Sequence, residues 1–302
     1  MSTYVVTGAS GHTGQPIALG LLAAGHTVRV VSRSAEKAKE LTARGAILFI
    51  GDTRDASLLA RAFRGADAAY LMVPPDYQTP DYTGTQVAHA TAMAEAAGRA
   101  GLPRAVALSS IGAHLTSGAG VVQGLQRMEA ALNAVDGLSV LHLRATYFLE
   151  NTLGQAGAVI QMGAMASPMR ADLPVPMVAT RDIAAYALKR LLALDFTDRK
   201  VQYLLGAAEY TYPEVARVCG RAIGKPDLAY RQVPYDAAKQ AMMGIGWSEN
   251  LADRMNEFVK ALNEGRVLAA HVRDAESTTP TRLEDFAPVF KSLYVTQGGT
   301  LG

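Results

Sequence analysis

Three glycines near the start of the chain have the spacing of a phosphate-binding loop. Gly8, Gly11 and Gly14 lie in the stretch Thr7-Gly8-Ala9-Ser10-Gly11-His12-Thr13-Gly14. Glycine has no Cβ atom, so this backbone can approach a diphosphate closely, and the amides that open a following helix can donate hydrogen bonds to it. The predicted dinucleotide-binding residues of this loop are Gly8, Ser10, Gly11, His12, Thr13 and Gly14.

The surrounding elements favour a nucleotide-binding fold over an ordinary glycine turn. The run Tyr4-Val5-Val6, an aromatic residue and two β-branched valines, predicts a strand before the loop. Pro16 lies near the first helical position, where its missing N–H costs nothing. A second predicted strand, Thr27-Val28-Arg29-Val30-Val31, ends about 20 residues later, where a dinucleotide fold contacts the adenosine ribose.

The residues after this second strand predict NADP(H) as the cofactor. An NAD-selective site has Asp or Glu here, whereas this chain has Ser32-Arg33-Ser34 and no acid before Glu36. A guanidinium can bind a 2′-phosphate and stack on adenine, and serine hydroxyls add neutral donors. The alternative is that Arg33 is a solvated residue that opens the next helix.

Residues after the next two strands are predicted to border the same site. Asp52 and Thr53 follow the apolar run 46–50, and Asp52 either accepts from the adenine amino group or serves as a loop or helix-capping carboxylate. The strand 68–73 stops at Pro74-Pro75, because proline lacks an N–H donor. Ligands lie beyond the carboxyl ends of parallel strands, so the further predicted contacts are Met72, Val73 and Pro74.

Composition limits the classes of function. A single cysteine, Cys219, excludes an intrachain disulfide framework and a cysteine-rich metal site, and the six histidines have no ligand spacing, so no metal is expected. The net charge of +2 gives no general signal for nucleic-acid binding. No apolar run is long enough to span a membrane and no secretory leader is apparent, so we expect a cytoplasmic protein.

Several motifs together carry a family resemblance. Besides the glycine loop they are Ser32-Arg33, Gly51-Asp52, Ser109-Ser110, Leu143-Arg144-Ala145-Thr146-Tyr147-Phe148-Leu149-Glu150-Asn151 and Pro176-Met177-Val178-Ala179-Thr180-Arg181-Asp182-Ile183-Ala184. With them the chain resembles the short-chain dehydrogenase/reductase superfamily, most closely its atypical NmrA-like branch. The resemblance implies an α/β Rossmann fold, with a doubly wound parallel sheet and a smaller mixed α/β C-terminal lobe.

On this resemblance we expect an NADP-binding Rossmann domain over residues 1–150 and an interleaved substrate lobe over residues 151–302. Ser109, Ser110 and Tyr147 join the predicted cofactor contacts, although the serines could simply turn the chain. The loop 76–82 could close over a substrate or be a plain connection. Residues 235–265 are predicted to be mainly helical, and Trp247 in this stretch could contact a substrate. Thr180 is predicted to cap a helix that starts at Thr180-Arg181-Asp182.

The chain departs from the superfamily in its reaction chemistry. Active members carry Y-x-x-x-K on the helix after the fifth strand, where the tyrosine transfers a proton. Here no tyrosine occurs between Tyr82 and Tyr147, and the literal match at Tyr235 and Lys239 lies in the C-terminal lobe. The catalytic residues therefore stay unassigned.

Two functions are compatible with this pattern. The first is an oxidoreductase that transfers a hydride from NADPH to a small quinone or carbonyl substrate, with the proton taken from solvent. The second is a non-catalytic NADP(H) redox sensor that regulates a protein partner. An isomerase or dehydratase would lack the usual tyrosine base. A homo-oligomer stays open under either function.

Overall fold

A seven-stranded parallel sheet forms the centre of the computed structural model, which describes residues 1–302. Its strands are β1 (Thr3–Thr7), β2 (Thr27–Ser32), β3 (Ile47–Ile50), β4 (Ala68–Leu71), β5 (Arg104–Ser110), β6 (Ser139–Ala145) and β10 (Arg199–Leu204). Their order across the sheet is β10-β6-β5-β4-β1-β2-β3. This confirms the predicted doubly wound α/β fold.

Helices cover both faces of this sheet and bury a separate core on each. One face carries α1 (Gly14–Ala23), α2 (Lys39–Ala43) and α7 (Thr180–Ala193), whose apolar side chains include the buried Leu21, Leu41 and Leu191. The other face carries α3 (Ala56–Phe63), α4 (Tyr82–Ala100) and α5 (Gln123–Asn133), with Phe63 and Met93 fully buried.

The strand order places a crevice at the carboxyl end of the sheet. Strand β1 lies between β2 and β4, so the chain reverses direction across the sheet at this point. Ligands of doubly wound folds bind at such a switch point. The residues that follow β1, β2 and β4, including Gly8, Arg33 and Met72, are therefore brought to one edge.

The remaining elements form a smaller lobe with a core of its own. Its short strands are β7 (Tyr147–Phe148), β8 (Ala164–Ser167), β9 (Val175–Val178), β11 (Ala208–Tyr210) and β12 (Ala229–Gln232). Its helices are α6 (Ala156–Met162), α8 (Tyr212–Ala222), α9 (Tyr235–Gly244), α10 (Glu249–Asn263) and α11 (Leu283–Thr296). Short 3-10 helices lie at Glu36–Ala38, Gly120–Val122 and Leu149–Gln155. Tyr212, Phe290 and Tyr294 are among the lobe's large buried side chains.

The chain beyond residue 150 returns to the central sheet. Strand β10 pairs with β6, and Leu188 of α7 packs against Gly20 of α1, where an added Cβ would lie 2.3 Å from a leucine methyl carbon. The two units thus interleave, and the division at residue 150 stays a prediction. None of the helices combines the length and apolar character needed to cross a membrane.

Helix α7 is capped by a distant residue. The sequence predicts Thr180 as its cap, but Thr180 is the first helical residue and offers its own N–H and hydroxyl. The Glu150 carboxylate accepts both, at 3.1 and 2.6 Å. A carboxylate at a helix N-terminus satisfies free amides and complements the helix dipole. Asp182, in the first turn of the same helix, accepts from the backbone N–H and the hydroxyl of Thr281.

Candidate functional site

Two positions of the glycine loop, Gly8 and Gly14, are packed too tightly to hold a side chain. Gly8 has φ +62°, in the region that favours glycine, and a Cβ there would lie 2.4 Å from Met72 Sδ. A Cβ on Gly14 would lie 2.3 Å from the carbonyl oxygen of Gly8. The Tyr70 hydroxyl donates to Thr13 Oγ1 at 2.9 Å beneath the loop. The loop is therefore a backbone cradle. At the start of α1 the Gln15 N–H is bonded to the Gly11 carbonyl and Pro16 has no N–H, so the Gly14 N–H is the amide left without a protein acceptor and able to bind an anion.

A cavity of about 130 Å³ lies beside this cradle. It brings together residues from the ends of β1, β2, β3 and β4, as the predicted site requires. Its lining comprises Gly8, Ser10, Val31, Ser32, Arg33, Ser34, Lys37, Gly51, Asp52, Thr53, Pro74 and His89. Seven of these residues are predicted contacts: Gly8, Ser10, Ser32, Arg33, Asp52, Thr53 and Pro74.

Two cations in this cavity have no carboxylate partner. Arg33 is exposed, and neither it nor Lys37 takes part in any ion pair of the structure. The hydroxyl of Ser32 donates to the Ser34 carbonyl at 3.0 Å and accepts from its N–H at 3.2 Å, which fixes the turn that carries Arg33. This corner therefore presents free positive charge, which suits a phosphate group.

The carboxylate of Asp52 is engaged by its own loop. Arg54 donates to it from Nε at 3.0 Å and from Nη2 at 2.9 Å. These hydrogen bonds hold the pKa of Asp52 below its ordinary value, so the carboxylate stays ionised. Asp55 caps α3 by accepting from Ser57 N and Leu58 N, so Asp52 is not the helix cap. Acceptance from adenine by Asp52 stays a prediction.

A buried histidine supports the same wall of the cavity. His89 of α4 shares a 2.8 Å hydrogen bond between its Nδ1 and the Thr53 hydroxyl. Burial lowers the pKa of His89, so the ring is neutral at neutral pH. The sequence prediction missed both His89 and Lys37. Lys37 lies four residues after Arg33, so its closeness to Arg33 along the chain was a signal that the sequence contains. His89 reaches the cavity only because α4 packs beside it.

Other predicted contacts lie around the cavity rather than in its lining. Met72 covers Gly8, and its N–H donates to Thr7 Oγ1 at 2.9 Å, which fixes the end of β4. Val73 packs toward the core beneath α3 and α4, and the side chain of His12 is exposed. Gly11, Thr13 and Gly14 shape the cradle without lining this cavity.

The hydroxyl groups at the carboxyl end of β5 already have hydrogen-bond partners within the protein. Ser109 is buried and donates to Glu129 Oε1 at 2.5 Å. Glu129 also accepts from Arg144 Nε at 3.0 Å and from Arg144 Nη2 at 2.6 Å, as a two-pronged ion pair. Ser110 donates to the carbonyl of Ile111. The Ser109 side chain therefore faces α5, and a cofactor role for both serines stays a prediction.

The hydroxyl of Tyr147 is paired with a second tyrosine. Its oxygen lies 2.5 Å from the hydroxyl oxygen of Tyr212, which is buried in the smaller lobe. Burial raises the pKa of Tyr147 to about 12 and that of Tyr212 well above its ordinary value. Both hydroxyls stay protonated at neutral pH, so neither can accept a proton as a phenolate base. A cofactor contact by Tyr147 stays a prediction.

The Y-x-x-x-K match in the smaller lobe is engaged elsewhere. The Lys239 amine binds Glu249 at 2.9 Å and Asp253 at 2.8 Å, which joins α9 to α10. The Tyr235 hydroxyl accepts from Asn263 Nδ2 at 2.8 Å. These contacts give both residues a structural role.

The fold and this cavity define a dinucleotide-binding protein of the Rossmann class. The model of the NmrA-like family matches residues 1–287 of the chain. The chain therefore belongs to the NmrA-like family, as predicted from its motifs.

Named relatives with similar sequences or folds include reductases and a regulator. An NAD(P)H azoreductase of Xenophilus azovorans is 30% identical over 254 residues, which cover 84% of this chain and 85% of that protein. The NADPH complex of the Escherichia coli quinone oxidoreductase QOR2 matches with a TM-score of 0.79 and 22% identity, over 94% of this chain and 98% of that one. NmrA, a negative transcriptional regulator crystallised with NADP, matches with a TM-score of 0.70 and 19% identity, over 96% of this chain and 91% of that one.

Proposed function

We propose that the protein is an NADPH-dependent oxidoreductase that reduces a small quinone or carbonyl compound without the usual tyrosine–lysine pair. The observation that carries the proposal is the cavity in which Arg33 and Lys37, both without ion-pair partners, stand beside the glycine cradle. The azoreductase relative supports a reductive reaction, because it is named for one and matches most of this chain.

The residues of the site fit an NADP(H) molecule. The cradle of Gly8, Gly11 and Gly14 would hold its diphosphate, and a Cβ atom on Gly8 or Gly14 would collide with neighbouring atoms. Arg33 and Lys37 would bind the 2′-phosphate. When bound, NADPH supplies a hydride from its nicotinamide ring to the acceptor.

The chain's own hydroxyl groups leave proton delivery to solvent. The Ser109 proton is directed to Glu129, and Tyr147 is hydrogen-bonded to Tyr212. A quinone suits this arrangement, because its reduced oxygen can take the proton from water once the hydride has been transferred. The role of the protein is then to hold the two reactants in line and to exclude competing reactions.

The decisive experiment combines nucleotide binding with a substrate series. We expect NADPH to bind more tightly than NADH and to be oxidised with menadione, an aldehyde or an azo dye as acceptor. Arg33→Ala removes a charge-assisted contact, so NADPH affinity should fall by about 10- to 100-fold while NADH affinity changes little. Arg231→Ala, at an exposed arginine outside the cavity, is the matched control. Equal native affinities for the two cofactors would exclude the NADP assignment.

The redox sensor is the second candidate function. It is favoured by the engagement of Ser109 and Tyr147 within the protein and by the fold likeness to the regulator NmrA. If NADPH binds but no quinone, aldehyde or ketone oxidises it, and a protein partner binds in a redox-dependent way, the sensor replaces the enzyme. Turnover with any of these acceptors excludes a purely non-catalytic role.

A cytoplasmic location and a small-molecule substrate belong to the same proposal. We expect no dependence on membranes or nucleic acid. A homo-oligomer stays a prediction, which sedimentation of the purified chain with and without NADPH would test.

A further inference from the structure

A second cavity, of about 420 Å³, lies on the other side of Arg33. Its walls come from two segments far apart in the chain: the loop after β4 and the connection between α9 and α10. The first contributes Asp76 and Tyr77, and the second contributes Ile245 and Trp247. Arg33 lines both cavities, so the second adjoins the predicted 2′-phosphate site.

The two segments are bound to each other. The rings of Tyr77 and Trp247 lie 5.3 Å apart between centroids, inclined by 39°. The Ser248 N–H donates to the Tyr77 carbonyl at 2.8 Å, and the Tyr82 N–H donates to Asn250 Oδ1 at 2.9 Å. The smaller lobe is thereby held over the cofactor edge of the sheet.

The size of the first cavity shows why the second matters for a dinucleotide. Ligand pockets usually measure about 300–1,000 Å³, and the cavity beside the glycine cradle measures only about 130 Å³. The adjoining space of about 420 Å³ reaches that range. The second cavity therefore offers additional space for a 2′-phosphoadenosine group held by Arg33.

The chemistry of the second cavity suits a purine better than another anion. Tyr77 and Ile245 are 50% and 75% exposed, so they present apolar surface next to the Arg33 guanidinium. Nucleobases stack on aromatic rings and on guanidinium planes. The Asp76 carboxylate lies in the same wall, where its negative charge disfavours a second phosphate.

The position of the cavity argues against an acceptor that is being reduced. Arg33 follows β2, whereas Tyr147 follows β6, and four strand spacings separate β2 from β6 in the sheet. At about 4.8 Å each, these spacings amount to about 19 Å. Hydride transfer requires reacting atoms about 3–3.5 Å apart. A dinucleotide lies across the crevice of such a sheet. With its 2′-phosphate at Arg33 its nicotinamide would lie on the β5–β6 side, too far from an acceptor beside Arg33.

We propose that Tyr77 and Trp247 form part of the cofactor site and cover the adenosine end of NADP(H). The smaller lobe thus takes part in cofactor binding through the α9–α10 connection. This inference rests on the proposed NADP(H) binding. It assigns a binding role to two aromatic residues that the motifs of the Rossmann half do not contain.

Trp247 is the only tryptophan of the chain, so its fluorescence reports on this cavity alone. We expect adenosine 2′,5′-bisphosphate and NADP⁺ to change Trp247 emission, with the dissociation constants that calorimetry gives for the same ligands. Nicotinamide mononucleotide should leave the emission unchanged. If calorimetry shows NADP⁺ bound while Trp247 stays silent, the inference fails and the proposed function stands. If calorimetry shows no NADP⁺ binding, both fail.

Substitutions separate stacking from a structural role. Trp247→Leu should weaken adenosine 2′,5′-bisphosphate binding by about tenfold, the scale of one lost stacking contact, and Trp247→Phe should restore most of it. Leu192→Ala, at an exposed apolar residue on α7, is the control. If the emission responds to menadione or an azo dye but not to the bisphosphate, the cavity belongs to the acceptor and the inference is wrong. Unchanged bisphosphate affinity in Trp247→Leu also overturns it.

Discussion

The two ends of the crevice differ in how much hydrogen-bonding capacity they leave for a ligand. At the proposed adenosine end, Arg33 and Lys37 have no ion-pair partner. At the opposite end, Ser109 is bound to Glu129 and Tyr147 to Tyr212. In the proposed binding mode, free side chains would therefore bind the cofactor, whereas these hydroxyl groups are already bonded to protein partners.

The largest expected effect is a loss of stability at the end of the crevice where Ser109 and Glu129 are hydrogen-bonded to each other. Glu129→Ala leaves the partly buried Arg144 guanidinium without its carboxylate, and breaking such a pair costs about 3–5 kcal/mol. We expect that loss in the free energy of unfolding, measured by urea denaturation. Glu95→Ala breaks the exposed pair with Arg99 and should cost at most about 1 kcal/mol. Similar losses in the two variants would show that the Glu129 network does not stabilise this end of the crevice.

The next effect concerns the cradle. Gly14→Ala places a Cβ 2.3 Å from the carbonyl oxygen of Gly8, so the backbone must move. Overpacking of this kind costs about 1–3 kcal/mol of stability. Because the displaced backbone is the proposed diphosphate site, we expect a comparable loss of binding free energy, which is roughly 5- to 150-fold in affinity. Gly154→Ala is the control, because an added Cβ there would have no other group within 4 Å. Calorimetry with NADP⁺ measures the affinity of both variants, and an unchanged affinity of Gly14→Ala would contradict the cradle assignment.

The smallest expected effect is that of pH on the rate of the proposed reaction. The pKa of Tyr147, raised by burial from 10.0 to about 12, keeps its hydroxyl protonated below about pH 10. Loss of that proton begins only as the pH rises toward 12. We therefore expect kcat/KM for menadione to stay flat from about pH 6 to 9, and Tyr147→Phe to leave the profile unchanged. A step near neutral pH that disappears in Tyr147→Phe would make Tyr147 a catalytic residue.

The parts of the site that follow strands could be predicted from the sequence. Gly8, Arg33 and Asp52 stand directly after apolar runs, and parallel strands bring their carboxyl ends together. Local pattern was sufficient to place these residues at one edge of the sheet, because that placement depends only on their position in a βα unit, and their role in binding stays a prediction.

Contacts between distant segments could not be predicted in this way. Ser109 looked available until α5 placed Glu129 beside it, and the helical stretch 235–265 breaks at 245–248, where Trp247 meets Tyr77. Glu150 replaces Thr180 as the acceptor at the start of α7. Each of these pairings depends on tertiary packing, which leaves no periodic signal in the sequence.

The return of the chain to the central sheet after residue 150 has a consequence for biosynthesis. A nascent chain that has emerged only as far as β6 has neither the edge strand β10 nor helix α7 to cover α1. The cofactor cradle, encoded in the first residues, therefore becomes a finished surface only after more than 200 residues have left the ribosome. Ribosome-bound chains that end at residue 150 should remain sensitive to protease, and chains that extend past β10 should become resistant.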